Sequence, residues 1–200
     1  MKINEIKKKI DDLIKEQKIN SSFNNILTQS EINDFEIKYD VKLPTEYKQF
    51  LTEIGNGGPG PNYGLFSLQK SIIDFKLDDK PIINISSDFK YKNAWNETWI
   101  DSIDWEIERP ELQIANQYMD VSHISGCLQI SHYGHGCTNL LVIKGVCKGQ
   151  IWFDGRADYE GLAPEENEQG HVYNFLEWYD SWLNELMFND DDILSYILVR

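Results

Sequence analysis

The chain has 200 residues, of which 41% are hydrophobic, 12% aromatic and 26% charged, with 13 Gly and 6 Pro; at 23.3 kDa it can bury one sizeable core without metals or disulfides. Its longest uninterrupted aliphatic run, Leu140 to Ile143, is far below the ~20 apolar residues of a membrane span, and the stretch Met1 to Gln17 lacks the apolar core of a secretory signal, so a cytoplasmic protein is expected. The formal charge is −14, and its distribution is uneven: residues 1–50 balance, whereas residues 151–200 carry 2 basic against 12 acidic groups, a field that repels nucleic acid and anionic membranes and suits a basic partner.

Ile3, Ile6, Ile10, Leu13 and Ile14 recur at helical spacing and predict an amphipathic helix over residues 3–17. With the polar linker after it, this helix forms a segment 1–27 ahead of the main domain. Thr28 and Glu31 have the spacing of a capping box, opening a second helix that buries Ile32, Phe35 and Tyr39. Pro44 suits the first position of a third, whose buried face is Tyr47, Phe50, Leu51 and Ile54, with Gly55 as a left-handed stop. The run Gly55 to Gly64 then reads as an irregular loop. It contains a G-x-G-x-x-G match at Gly55, Gly57 and Gly60, but a helix precedes it and Pro59 and Pro61 prevent a helix from starting after it, which is the wrong context for a dinucleotide site.

Residues 70–120 show no clear period and mix charged residues with Trp95, Trp99 and Trp105, which read as core anchors or covers. From Gly126 the period shifts toward two: Cys127–Ile130, Leu140–Ile143 and Gln150–Phe153 are expected strands of a meander. Phe175, Trp178, Trp182 and Leu186 place a closing helix over about 174–187, with residues 188–200 as an acidic-start tail. Helices, then a run of antiparallel strands, then a helix predict an α+β domain and argue against a doubly wound sheet.

Catalytic patterns are weak. There is no G-x-S-x-G elbow and no phosphate-cradling G-x-x-x-x-G-K-[ST] loop. Cys127, Cys137 and Cys147 are odd in number and ten residues apart, fitting reduced thiols better than a disulfide or zinc framework. His132, His135 and Cys137 form the best metal or nucleophile candidate, yet no fourth ligand or orienting group is evident. In the acidic stretch Asp154 to Glu160, Arg156 occupies a position where a calcium loop needs an oxygen ligand. No cofactor, metal or catalytic residue is assigned, and the chain is read as non-enzymatic.

Other motifs carry a family resemblance. Leu43-Pro44 leading into Tyr47-Lys48-Gln49-Phe50-Leu51, then Gly55-Asn56-Gly57-Gly58 and Tyr63-Gly64-Leu65-Phe66, resembles the opening signature of the SUKH superfamily. Gly126 to Ile130, Gly136, Leu140 to Ile143, Gly145 and Gly149 to Asp154 resemble its strand core, and Phe175 with Trp178 its last helix. The resemblance spans about 28–187. It implies a single α+β domain over 28–187, with a central, mainly antiparallel sheet packed by helices and a variable central part over 70–120, and a protein-binding role: many bacterial members neutralise a cognate toxin, often a nuclease, and eukaryotic members are regulatory interaction modules. A nuclease holds phosphates with Lys and Arg, so an inhibitor presenting carboxylates complements the same surface. Under that reading Asp154, Asp158, Tyr159, Glu160, Glu165 and Glu166 supply the charge, with Tyr63 and Trp152 as aromatic anchors. Trp152 and Phe66 also read as core, and Gly55, Gly57 and Gly58 as structural positions supplying positive φ. A regulatory module without a toxin partner is the alternative. The sequence leaves the oligomeric state open.

Overall fold

A computed structural model describes residues 3–74, 80–104 and 112–197. Helix α1, Ile3–Lys15, buries Ile6, Ile10 and Leu13 as its apolar spacing requires. Helix α2, Gln29–Tyr39, opens on the expected capping box: Thr28 N–H donates to Glu31 Oε2 at 2.7 Å and Glu31 N–H to Thr28 Oγ1 at 3.2 Å. Helix α3, Thr45–Glu53, starts one residue later than expected, with Pro44 as its cap. Its end also differs. Gly55 is not left-handed; a Cβ there would meet the Asn24 carbonyl oxygen at 2.9 Å, so this glycine serves close approach of two backbones. Gly57 and Gly58 do have positive φ, at 89° and 127°.

The strands form one antiparallel sheet in the order β1-β2-β3-β4, with β1 Cys127–Gly134, β2 Cys137–Val142, β3 Ile151–Asp154 and β4 Leu162–Pro164. The expected meander is present; the short β4 is an addition. Helix α4 spans Leu112–Tyr118, and α5 runs from Phe175 to Ile197, past the expected stop at Met187. The closing-helix aromatics do pack inward: Phe175 and Tyr179 lie edge-on to Phe50 at 5.2 and 5.0 Å. Among the described residues, five α-helices and a four-stranded antiparallel sheet give the α+β single-domain fold. Trp105 and the side chains of Asp190, Asp191 and Asp192 lie outside the described residues. Among the described residues, no helix is long and apolar enough to cross a membrane.

Register decides which residues share a face. Asn139 pairs with Phe153 and Phe153 with Ala163, so these three line one face, joined by Ser131 opposite Asn139. Leu140, Trp152, Asp154 and Leu162 occupy the other. There the central segment covers the sheet: Phe89 packs edge-on to Trp152 at 4.9 Å, and Trp95 exchanges backbone hydrogen bonds with Leu162. Trp95 and Trp99 thus do what isolated tryptophans were expected to do, packing against Tyr118 at 5.6 and 5.7 Å.

Candidate functional site

The Gly/Pro loop is a rigid shelf because side chains of other elements hold its carbonyl groups. Ser131 donates to the Pro61 and Gly64 oxygens at 3.0 Å each, and Tyr179 on α5 donates to the Pro59 oxygen at 2.9 Å. The shelf presents Tyr63, which is 78% exposed and whose ring lies 5.5 Å from that of His132. Beside it, Asn62 donates to Asn139 Oδ1 at 3.0 Å, and the buried Asn139 donates in turn to Glu165 Oε1 at 2.8 Å. One line of hydrogen bonds therefore ties the loop, β2 and the end of β4 together.

Two hollows adjoin along this side of the sheet. The first, of about 440 Å³, lies between the sheet and α5 and includes Tyr133, Glu165, Glu166, Tyr173, Trp182 and Glu185. The second, of about 460 Å³, shares Tyr133 and Glu165 and adds Phe153, Cys137, Asp158 and Glu160. Among the described residues, no lysine or arginine lines either one. A shallow groove along the loop, containing Tyr63, continues from the first hollow through Asn62 and Trp182. Glu165 is half-buried, and burial raises its carboxyl above the ordinary carboxylate range, with the Asn139 hydrogen bond opposing.

The structure gathers some predicted contact residues and removes others. Asp158, Glu160, Glu165 and Glu166 come together around the hollows, with Tyr63 on the adjoining groove. Trp152 is fully buried, so it is core and not an anchor. Asp154 is also fully buried: Arg156 Nε and Nη2 each donate to its carboxylate at 2.9 Å, and Arg156 Nη1 donates to the Tyr118 and Asp120 carbonyl oxygens at 3.2 and 2.9 Å. A buried guanidinium requires such a partner, which withdraws Asp154 from the acidic surface. Tyr159, left-handed at φ 61°, turns toward Tyr118 and Trp99, stacking on Tyr118 at 5.9 Å.

Tyr133, Tyr173, Trp182 and Glu185 were missed as site residues. Trp182 and Glu185 are three apart on one helix, so helical spacing could have joined them, but nothing local sets Tyr133 beside Glu165. The His132, His135 and Cys137 candidate does not assemble. His135 is exposed at the hairpin turn, while burial, with Asp158 accepting from the thiol at 3.5 Å, pushes Cys137 up to about 12, away from the thiolate that a nucleophile or metal ligand needs. Among the described residues, no three His, Cys, Asp or Glu side chains converge to hold a metal ion. Cys127, Cys137 and Cys147 are all buried, and none of them is in a disulfide.

Over residues 26–192 the chain matches the family described as SMI1 / KNR4 family (SUKH-1). The chain belongs to this SUKH-1 family. The match runs from the approach to α2 into the last turns of α5 and so takes in the shelf, the sheet and both hollows. No curated protein and no solved structure matches the chain. Membership in SUKH-1 supports a role in protein interaction or immunity, in a family whose members are generally not enzymes. Protein partners are what the family implies.

Proposed function

We propose that this SUKH-1 protein is a non-enzymatic immunity protein that binds and neutralises a cognate bacterial toxin of nuclease type through the carboxylate-lined side of its sheet. The observation that carries this reading is the pair of adjoining hollows edged by Asp158, Glu160, Glu165, Glu166 and Glu185, without a lysine or arginine among their described lining residues. A nuclease gathers Lys and Arg where it holds phosphates, so the same surface is drawn to these carboxylates and held in register by them. Tyr63 and Tyr133, 78% and 51% exposed, supply aromatic area beside the charge, the kind of residue that dominates interface energetics.

Co-expression with nuclease-type toxin domains, beginning with any encoded beside this gene, provides the test. The expected result is cell survival and a co-purifying complex whose affinity falls as salt rises. Glu160→Lys with Glu166→Lys is expected to weaken the complex at least about tenfold, chiefly through slower association. A complex indifferent to ionic strength and to both reversals would refute the acidic-face mechanism. Absence of any neutralised toxin, with a tight cellular partner of another kind, would favour a regulatory module.

A further inference from the structure

The hollow between the sheet and α5 supports a more specific recognition than acidity alone, one that rests on the reading just proposed. Its walls include Tyr133, Tyr173 and Trp182, its carboxylates are Glu165, Glu166 and Glu185, and its volume is about 440 Å³. Rings and carboxylates both favour a cation, the rings through the negative π face and the carboxylates through charge. An anion would be repelled, and a purely apolar group would take water from Glu165 without replacing its hydrogen bonds. Glu165 is also fixed in place. Asn139 binds its Oε1 at 2.8 Å and is itself held by Asn62 at 3.0 Å, and Oε2 accepts no further hydrogen bond among the described residues. Arginine answers these features better than lysine, because its guanidinium is planar, weakly hydrated, able to stack on rings and able to present several donors to a carboxylate.

We propose that this hollow receives an arginine side chain of the bound partner, with the guanidinium among Tyr133, Tyr173 and Trp182 and hydrogen-bonded to Glu165.

The test is an NMR titration of the full ¹⁵N-labelled chain with three peptides: acetyl-Gly-Arg-Gly-amide, its lysine counterpart and its neutral citrulline counterpart. The arginine peptide is expected to shift the Trp182 indole and Asn139 side-chain signals saturably; the lysine peptide should bind more weakly and the citrulline peptide should leave both signals in place. Glu165→Gln keeps an acceptor for Asn139, and an otherwise unchanged amide spectrum verifies its fold. It should weaken the arginine peptide about tenfold or more, the scale of a lost charged hydrogen bond. Equal responses to arginine and citrulline, no saturable shift, or shifts mapping away from the hollow would each overturn the proposal. If the peptide fails while a nuclease-type toxin domain is still captured in a salt-dependent way, the arginine site is wrong and the acidic-face reading survives. If the peptide binds but no toxin is captured or neutralised, the toxin reading falls and takes the assigned occupant with it.

Discussion

His123 shows how one side chain is committed to a single protonation state by its neighbours. Its Nε2 faces the Gln117 carbonyl oxygen at 3.1 Å and its Nδ1 the Tyr91 hydroxyl, while its ring stacks on Trp95 at 4.5 Å. Both bonds suit a neutral ring that donates from Nε2 and accepts at Nδ1. Burial, helped by Arg156 and Lys90, pushes its pKa down to about 4. Below pH 6.5 the unfolded chain takes up a proton that the folded one refuses, so stability present above 6.5 is lost as pH falls toward 4. The loss amounts to roughly 1–2 kcal/mol once solvent screening is allowed for. In urea denaturation, His123→Gln should lose less stability than the wild type over that window; parallel pH curves would contradict this. Arg156 belongs to the same scale. Asp154→Asn leaves its guanidinium buried beside a neutral amide and should cost about 3–5 kcal/mol, read as a lowered denaturation midpoint.

At the scale of elements, the helical layer is organised by its starts and joints. The Thr28 and Glu31 box satisfies the first amides of α2. Thr28→Ala removes one half of it and should cost about 1 kcal/mol, measured by the same denaturation. The joint from α2 to α3 uses Glu36, which is only 4% exposed. Its carboxylate accepts from Lys42 at 2.8 Å, from the Leu43 amide at 2.9 Å and from Lys48 at 3.3 Å. Burial pushes its pKa up, but these donors prevail and hold it below the usual carboxylate range. Its contribution is therefore present at neutral pH and lost as acid protonates it below its ordinary pKa. The next joint depends on Gly57, where a Cβ would lie 2.8 Å from the Leu65 carbonyl oxygen at a φ of 89°. Gly57→Ala should displace the shelf that carries Tyr63 and lower stability; under the proposed immunity role it should weaken toxin binding as well, whereas Tyr63→Ala should weaken binding alone.

The whole molecule is more continuous than its linear order indicates. Helix α1 is joined to the rest by a polar stretch, yet Ile6 and Leu13 are fully buried in the common core and Lys9 reaches Asp180 on α5 at 2.6 Å. Leu13→Ala should therefore cost about 2–5 kcal/mol. It should shift a single cooperative transition seen alike by circular dichroism and by tryptophan fluorescence; two separated transitions would mean that α1 unfolds as an independent unit. The charge is likewise a property of the assembly. The last quarter of the chain is its most acidic, but folding sends Asp154 into an interior ion pair and Asp180 to Lys9, while Asp158, Glu160, Glu165, Glu166 and Glu185 line the hollows.

Periodicity, caps and turn residues made α1, α2, α3, the start of α5, the meander and the family motifs legible, because each depends on residues a few positions apart, whereas α4 lies in a stretch without a clear period. Where such signals were short or absent, reading the sequence ran out: β4 has three residues and no alternation to betray it, and α5 continues beyond Met187. The acidic surplus was visible in the order of residues. Which acids meet a partner was not, since Asp154 and Glu160 look alike in sequence but one faces a buried guanidinium and the other an open hollow. Burial, ion pairing and the meeting of Tyr133, Glu165 and Glu185 arise from the register of the strands and the course of α5 across them, and these are set by packing over long separations.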